Sequence, residues 1–265
     1  MKPRVVVALL VLAGLPLVWI AAGKLHRFAY WIGRATAAEV EALATGGWRV
    51  ERLEVAPGVT LVGLCRPPRS PDARWLLFAP GNSEAILAGF RPELDALRGE
   101  RDLGLLFFAY RGFDASGGTP DPESLAADLQ AQWRHLRRLG VLPERIEIWG
   151  YSLGSVLAAQ LAAAVADAGE IPARLVLLAA GERIPVMRHG LFGRFLPDDL
   201  FDAAPALDRI RCPVVIVHGE RDDALPIAGA RAIHARLGSR STLHALPDQG
   251  HFDLWQPARE LLSGR

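Results

Sequence analysis

The stretch Glu147-Ile148-Trp149-Gly150-Tyr151-Ser152-Leu153-Gly154-Ser155-Val156-Leu157 constrains the fold more than any other. A largely apolar run, Ile146 to Trp149, stops at a Gly-x-Ser-x-Gly pattern, and an alanine-rich helical segment from Ser155 to Ala166 follows. Read physically, a strand turns sharply into a helix with one hydroxyl at the apex. Gly150 and Gly154 flank that hydroxyl because a side chain there collides where strand and helix nearly touch. The pattern alone is modest, since a chain of this composition matches it by chance roughly 0.1 times. The strand before it and the helix after it give it weight.

The same alternation runs through most of the chain. Trp75 to Ala79, Leu103 to Tyr110, Ile146 to Trp149, Arg174 to Ala179, Val214 to His218 and Ser241 to Leu246 read as strands. Continuous apolar strands separated by helices imply a mostly parallel sheet covered by helices on both faces, an α/β class. Asp121-Pro122 reads as an N-cap followed by proline at the first helical position, opening a helix that runs to about Leu139. Val50 to Val55 and Thr60 to Cys65, joined through Pro57-Gly58, predict a hairpin ahead of the alternation. Ala180 to Arg211 stands outside it and reads as a short lid, with Leu191-Phe192 and Phe195-Leu196 apolar enough to accept an acyl chain or to pack on the sheet. No internal repeat or second domain is evident, and 265 residues suit one sizeable core.

At the N-terminus, Lys2 and Arg4 precede Val5 to Gly23, nineteen residues without a charge, and Lys24, His26 and Arg27 follow. As a helix this run spans about 28 Å, against a bilayer core of about 30 Å. The expectation is an uncleaved anchor over residues 1–24 with the folded domain outside the cytoplasm. The rival is a cleaved signal peptide, whose apolar region runs only about 7–15 residues. Trp19, Tyr30 and Trp31 suit a membrane interface. Residues 25–47 read as an amphipathic linker helix ended by Gly46-Gly47, leaving 48–265 as the domain. A net charge of +1 without a basic stripe gives no reason to expect nucleic acid. Cys65 and Cys212 sit beside apolar runs and read as buried small side chains rather than a disulfide. His26, His135, His189, His234 and His244 show no metal-ligand spacing, so neither metal nor cofactor is expected.

A serine hydroxyl needs a base to take its proton, and the base needs a carboxylate to fix its tautomer. In an open parallel sheet the strand C-terminal ends share one edge, where ligands bind. His218-Gly219-Glu220-Arg221-Asp222-Asp223-Ala224-Leu225-Pro226 leaves one strand with two acids, and Leu246-Pro247-Asp248-Gln249-Gly250-His251 leaves the last with a histidine. The order is Ser, Asp, His. Asp222 and Asp223 both remain open as the acid, with the spacing to Pro226 favouring Asp222. His251 reads as catalyst or loop residue, His218 as a buried orienting residue, and Arg111 as a loop-holding side chain that reaches carbonyls.

From about Thr60 onward the chain resembles the α/β-hydrolase fold enzymes. Within them it is similar to the membrane-associated BEM46-like and ABHD12/13-like lipid hydrolases. Pro80-Gly81-Asn82, the run Tyr110-Arg111-Gly112-Phe113-x-x-Ser116-x-Gly118 and the short lid carry that likeness. The resemblance implies Ser152 as nucleophile, Asp222 as acid and His251 as base. It also implies an oxyanion hole from the backbone N–H groups of Leu153 and Asn82. The implied activity is hydrolysis of an ester or thioester, lipid-like in keeping with the anchor. An acyltransferase or peptidase on the same triad, or a non-catalytic membrane-bound binding protein of this fold, is the alternative. Two departures border the pocket: Pro80 replaces a histidine common there, and Asp114 stands where glycine is usual.

Overall fold

The computed structural model describes residues 29–184 and 200–263. The chain enters through a short helix α1 (Ala37–Glu41), then the hairpin β1 (Arg49–Ala56) and β2 (Val59–Arg66). β3 (Arg74–Ala79), α2 (Ile86–Glu100), β4 (Leu103–Phe108), α3 (Pro122–Arg138), β5 (Ile146–Tyr151), α4 (Leu153–Asp167) and β6 (Arg174–Leu178) follow in alternation. A two-stranded ribbon, β7 (Arg183–Ile184) with β8 (Phe201–Asp202), and a short α5 (Ala204–Leu207) precede β9 (Val214–Gly219). The chain closes with α6 (Ala228–Leu237), β10 (Ser241–Leu246) and α7 (Trp255–Ser263).

Eight strands form one sheet in the order β1-β2-β4-β3-β5-β6-β9-β10. The hairpin pairs antiparallel, as does β2 with β4, and every other neighbour is parallel. The central strands β4 and β5 are buried along their whole length, as strands covered on both faces must be. Cys65 and Cys212 are free and buried, and burial pushes their thiols up to about 12 and about 11.

A charge sits on the central strand β5 within this core. Glu147, on β5 and fully buried, meets Arg101 at 2.6 Å, Arg174 at 3.0 Å and Arg74 at 3.3 Å, and accepts from Trp149 Nε1 at 3.0 Å. Burial alone would raise its carboxyl, but the Arg101 hydrogen bond and the surrounding guanidinium charge win and hold it at about 2.

Two N-terminal expectations change. Of the linker helix expected over residues 25–47, only Ala37–Glu41 is α-helical among the described residues. The segment before it spends its backbone elsewhere: Trp31 N–H and the Ala29 carbonyl bond the Asn82 side chain, and the Gly33 carbonyl accepts from Asp114 N–H. Thr36 and Glu39 then form a capping box that starts the helix late. Tyr30, expected at a membrane surface, is instead buried, with its ring edge-on to Phe113 and Phe201. Among the described residues no helix is long and apolar enough to cross a membrane. The anchor expected over residues 1–24 and the apolar part of the lid (Leu191 to Leu196) lie outside those residues.

Candidate active site

The three candidate triad residues and the candidate oxyanion loop each stand past the C-terminal end of a parallel strand. Ser152 follows β5, Asp222 follows β9, His251 follows β10, and Pro80-Gly81-Asn82 follows β3. The elbow at Ser152 is tight. Its φ of 53° and ψ of −119° lie outside the regions a side chain prefers. A Cβ on Gly154 would stand 1.9 Å from the Ala79 carbonyl oxygen, and one on Gly150 would stand 2.3 Å from that of Gly154. Strand β3, the elbow and α4 therefore pack backbone to backbone, which fixes where the hydroxyl points. Ser152 N–H donates to the Leu178 carbonyl at 3.0 Å, and Ser155 Oγ donates to the Ser152 carbonyl at 2.6 Å.

The three candidate side chains meet. His251 Nδ1 lies 2.7 Å from Asp222 Oδ2, and His251 Nε2 lies 3.1 Å from Ser152 Oγ. Asp222, not Asp223, is the acid in contact. Its second oxygen accepts from Leu225 N–H at 2.7 Å and Ala224 N–H at 3.0 Å, while Asp223 is exposed. Burial pushes the Asp222 carboxyl up, but the bonds from His251 and Leu225 outweigh it and hold it below the usual carboxylate range. It is thus ionised at neutral pH and orders the ring so that Nδ1 carries the proton and Nε2 faces the hydroxyl.

Three further residues support this chain, and of these only His218 was legible beforehand. A Cβ on Gly219 would stand 2.2 Å from the Gln249 carbonyl oxygen, so glycine there lets the acid loop and the histidine loop lie against each other. Tyr151 donates its hydroxyl to the His251 carbonyl at 2.8 Å, and its ring packs on Trp255 and Phe90. His218 is fully buried, 3.4 Å from Asp222 Oδ2, with Nε2 donating to the Leu225 carbonyl at 2.8 Å. Burial lowers its pKa, so the ring is neutral and steadies the acid loop, an orienting rather than a proton-transferring place. The place of His218 at the end of a buried strand already marks it as an orienting residue; the roles of Gly219 and Tyr151 carried no such mark, because close packing between loops has no sequence period.

Other expected residues serve the frame. Arg111 reaches a carboxylate rather than carbonyls, forking onto buried Asp128 at 2.6 Å through both Nε and Nη2. Ser116 accepts from Val62 N–H and donates to the Ala109 carbonyl, tying its loop to the sheet. Asp114 adopts φ 45°, which explains glycine as the usual occupant, and its carboxylate accepts from Leu87 N–H at 2.9 Å. It caps α2, whose own N-cap Ala85 has no side chain to do so. Leu153 and Asn82 both line a cavity beside Ser152. The side chain of Asn82 is occupied in clamping residues 29–31, which leaves its backbone as the part available to a guest.

That cavity, of about 240 Å³, is bounded by Ala29, Ile184, Phe201, Ala224 and Leu225 beside Ser152 and His251. A second, of about 260 Å³, opens from the same Ser152 and His251 toward Ser83, Phe90, Glu93 and Trp255. Trp31 and Phe252 border both, and they are 42% and 78% exposed. Among the described residues no group of three His, Cys, Asp or Glu side chains could hold a metal ion.

Comparison with known proteins bears on the fold that carries this site. Residues 62–181 match the family described as Chlamydia CHLPS protein (DUF818). Alpha/beta hydrolase domain-containing protein 17C of Xenopus laevis is 30% identical over 222 residues, covering 82% of this chain and 66% of that protein. Alpha/beta hydrolase domain-containing protein 17B of Homo sapiens is 33% identical over 177 residues, covering 63% and 57%. The chain therefore spans less than two thirds of these relatives. An alpha-beta hydrolase from Vibrio vulnificus superposes with a TM-score of 0.71 at 20% identity, covering 94% of both chains.

Proposed function

We propose that this chain, which belongs to the α/β-hydrolase superfamily, is a serine hydrolase that cleaves a carboxylic ester or thioester through an acyl-enzyme. One observation carries the reading: the His251 ring bridges Asp222 at 2.7 Å and Ser152 at 3.1 Å, both within hydrogen-bond reach.

Ser152 Oγ attacks the acyl carbon while its proton passes to His251 Nε2. The negative charge on the former carbonyl oxygen is held by the backbone N–H groups of Leu153 and Asn82, a pair worth about 10²–10³ in rate for each donor in comparable sites. The tetrahedral intermediate collapses, and the imidazolium gives its proton to the departing alkoxide or thiolate. Water then enters, His251 takes its proton, the new hydroxyl attacks the acyl-enzyme, and Ser152 regains its hydrogen as the acid leaves. Throughout, Asp222 stays ionised beside the imidazolium.

A membrane anchor fits this reading. The apolar run ends at Gly23, and Ala29 already lines the cavity. The few residues between reach at most about 22 Å when extended, so an anchored chain holds its site near the lipid surface, in keeping with a lipid-like ester. The domain would then face the extracytoplasmic side.

Full-length protein in detergent tests the mechanism. Wild type should hydrolyse p-nitrophenyl butyrate and label with a fluorophosphonate. Ser152→Ala should lose about 10⁶ of the rate and all of the label. Persistent labelling of that variant would put the nucleophile elsewhere.

A further inference from the structure

The two cavities that meet at Ser152 differ in chemistry. Beyond the residues they share, the first is walled by Ala29, Leu153, Ile184, Phe201, Ala224 and Leu225, every one apolar. The second presents Ser83 and Glu93 among aromatic Phe90 and Trp255. Glu93 lies on α2 and is about one third exposed, and Arg259 on α7 holds its Oε2 at 3.3 Å. A substrate bound across the elbow must put its acyl part on one side and its alcohol on the other.

We propose that the apolar cavity takes the acyl chain and that the Glu93 cavity takes the alcohol, making the preferred substrate an ester between an apolar acid of medium length and a hydroxyl-bearing alcohol. The assignment rests on the serine-hydrolase reading above and names the substrate class for that site. An empty apolar cavity of about 150 Å³ accommodates one benzene, so the first cavity, at about 240 Å³, holds roughly nine carbons. On the other side, a carboxylate in a partly covered aromatic pocket accepts hydrogen bonds from donors. The Arg259 guanidinium already balances the Glu93 charge, so the pocket favours neutral hydroxyl donors over an ammonium. A bare alkyl alcohol would cover the carboxylate without offering it a proton, leaving a desolvated acceptor unmet.

Matched esters decide the point. Full-length protein is given glyceryl mono-octanoate and ethyl octanoate, which share an acyl chain and differ only in alcohol. Wild type should favour the glyceryl ester in kcat/KM by about tenfold, the size of one hydrogen bond to a charged acceptor. In Glu93→Ala that ratio should fall to about one, mainly through KM, and Glu93→Gln, which keeps an acceptor oxygen, should retain part of it. A wild-type ratio near one, or a ratio that survives in Glu93→Ala, overturns the assignment. Binding to Ser152→Ala protein separates the pocket from the chemistry. Calorimetry there should find 1-O-octylglycerol about tenfold tighter than octyl ethyl ether, and equal affinities overturn the proposal. Discrimination in binding with no wild-type turnover of either ester would instead remove the hydrolase reading and leave the subsite standing.

Discussion

Glu147 offers the sharpest test of how the core is held. Replacing it with Gln keeps the volume and the possibility of a bond to Trp149 Nε1, but removes the only negative charge among Arg74, Arg101 and Arg174 that these contacts include. A carboxyl lowered from 4.5 to about 2 contributes about 3 kcal/mol to folding at neutral pH. Breaking a buried pair by removing one partner costs a similar 3–5 kcal/mol or so. The sign follows from linkage. The folded pKa lies below the unfolded one, so the stabilisation is fully present above about pH 4.5 and is lost as pH falls toward 2. Chemical denaturation of wild type and Glu147→Gln should differ by about 3 kcal/mol at pH 7, about 2 at pH 3.5 and about 1 at pH 3. In a melt at pH 7 the variant should fall about 6–12 °C below wild type. Glu147 lies near the start of β5 and Ser152 just past its end, so turnover per folded molecule should be kept. A difference that is constant from pH 7 to pH 3, or below about 1 kcal/mol at pH 7, would refute the view that this carboxylate is held ionised by its arginines.

Two further substitutions test the site itself. Asp222→Asn should lower kcat by about 10⁴, as loss of the tautomer-fixing carboxylate does in comparable triads, whereas the exposed neighbour changed as Asp223→Asn should leave kcat within about twofold; similar losses from both would reopen the choice of acid. Gly154→Ala drives a Cβ to 1.9 Å from the Ala79 oxygen and 2.6 Å from that of Pro80, so α4 must retreat by about 1 Å. That should cost about 3 kcal/mol and more than about 10² in kcat/KM. Gly99→Ala, in a helical position with nothing within 4 Å, should instead stabilise by about 0.5 kcal/mol. Equal melting temperatures for the two alanine variants would remove the packing account of the elbow.

What could be read from the sequence was what repeats or what turns. The strands announced themselves because burial on both faces leaves unbroken apolar runs, and β5 was legible down to its elbow because only glycine fits beside Ala79 and Ala158. Asp121 declared α3 because a cap must stand next to the helix it serves, and its carboxylate does accept from Ser124 N–H at 2.9 Å. The same logic fails for α2, whose cap comes from Asp114, far along the chain. It fails again for the segment after residue 28: its apolar spacing reads as helix, but two hydrogen bonds with one Asn82 side chain hold it on an irregular path beside the site. Local periodicity reports which face a residue would bury if the segment were regular; it does not report a distant amide that satisfies the same backbone groups.

Asp114 shows how these two kinds of information meet. From the sequence it was a departure bordering the pocket. In the fold it occupies φ 45° at a cost in backbone strain, while its N–H donates to the Gly33 carbonyl and its carboxylate caps α2. Glycine would remove the strain and lose the cap. α2 carries Glu93 and Phe90 into the second cavity, and the Gly33 segment carries Trp31 into both. Asp114 therefore joins the two elements that border the alcohol side of the site, and its place in the pocket is indirect: it sets where those walls stand without touching what binds between them.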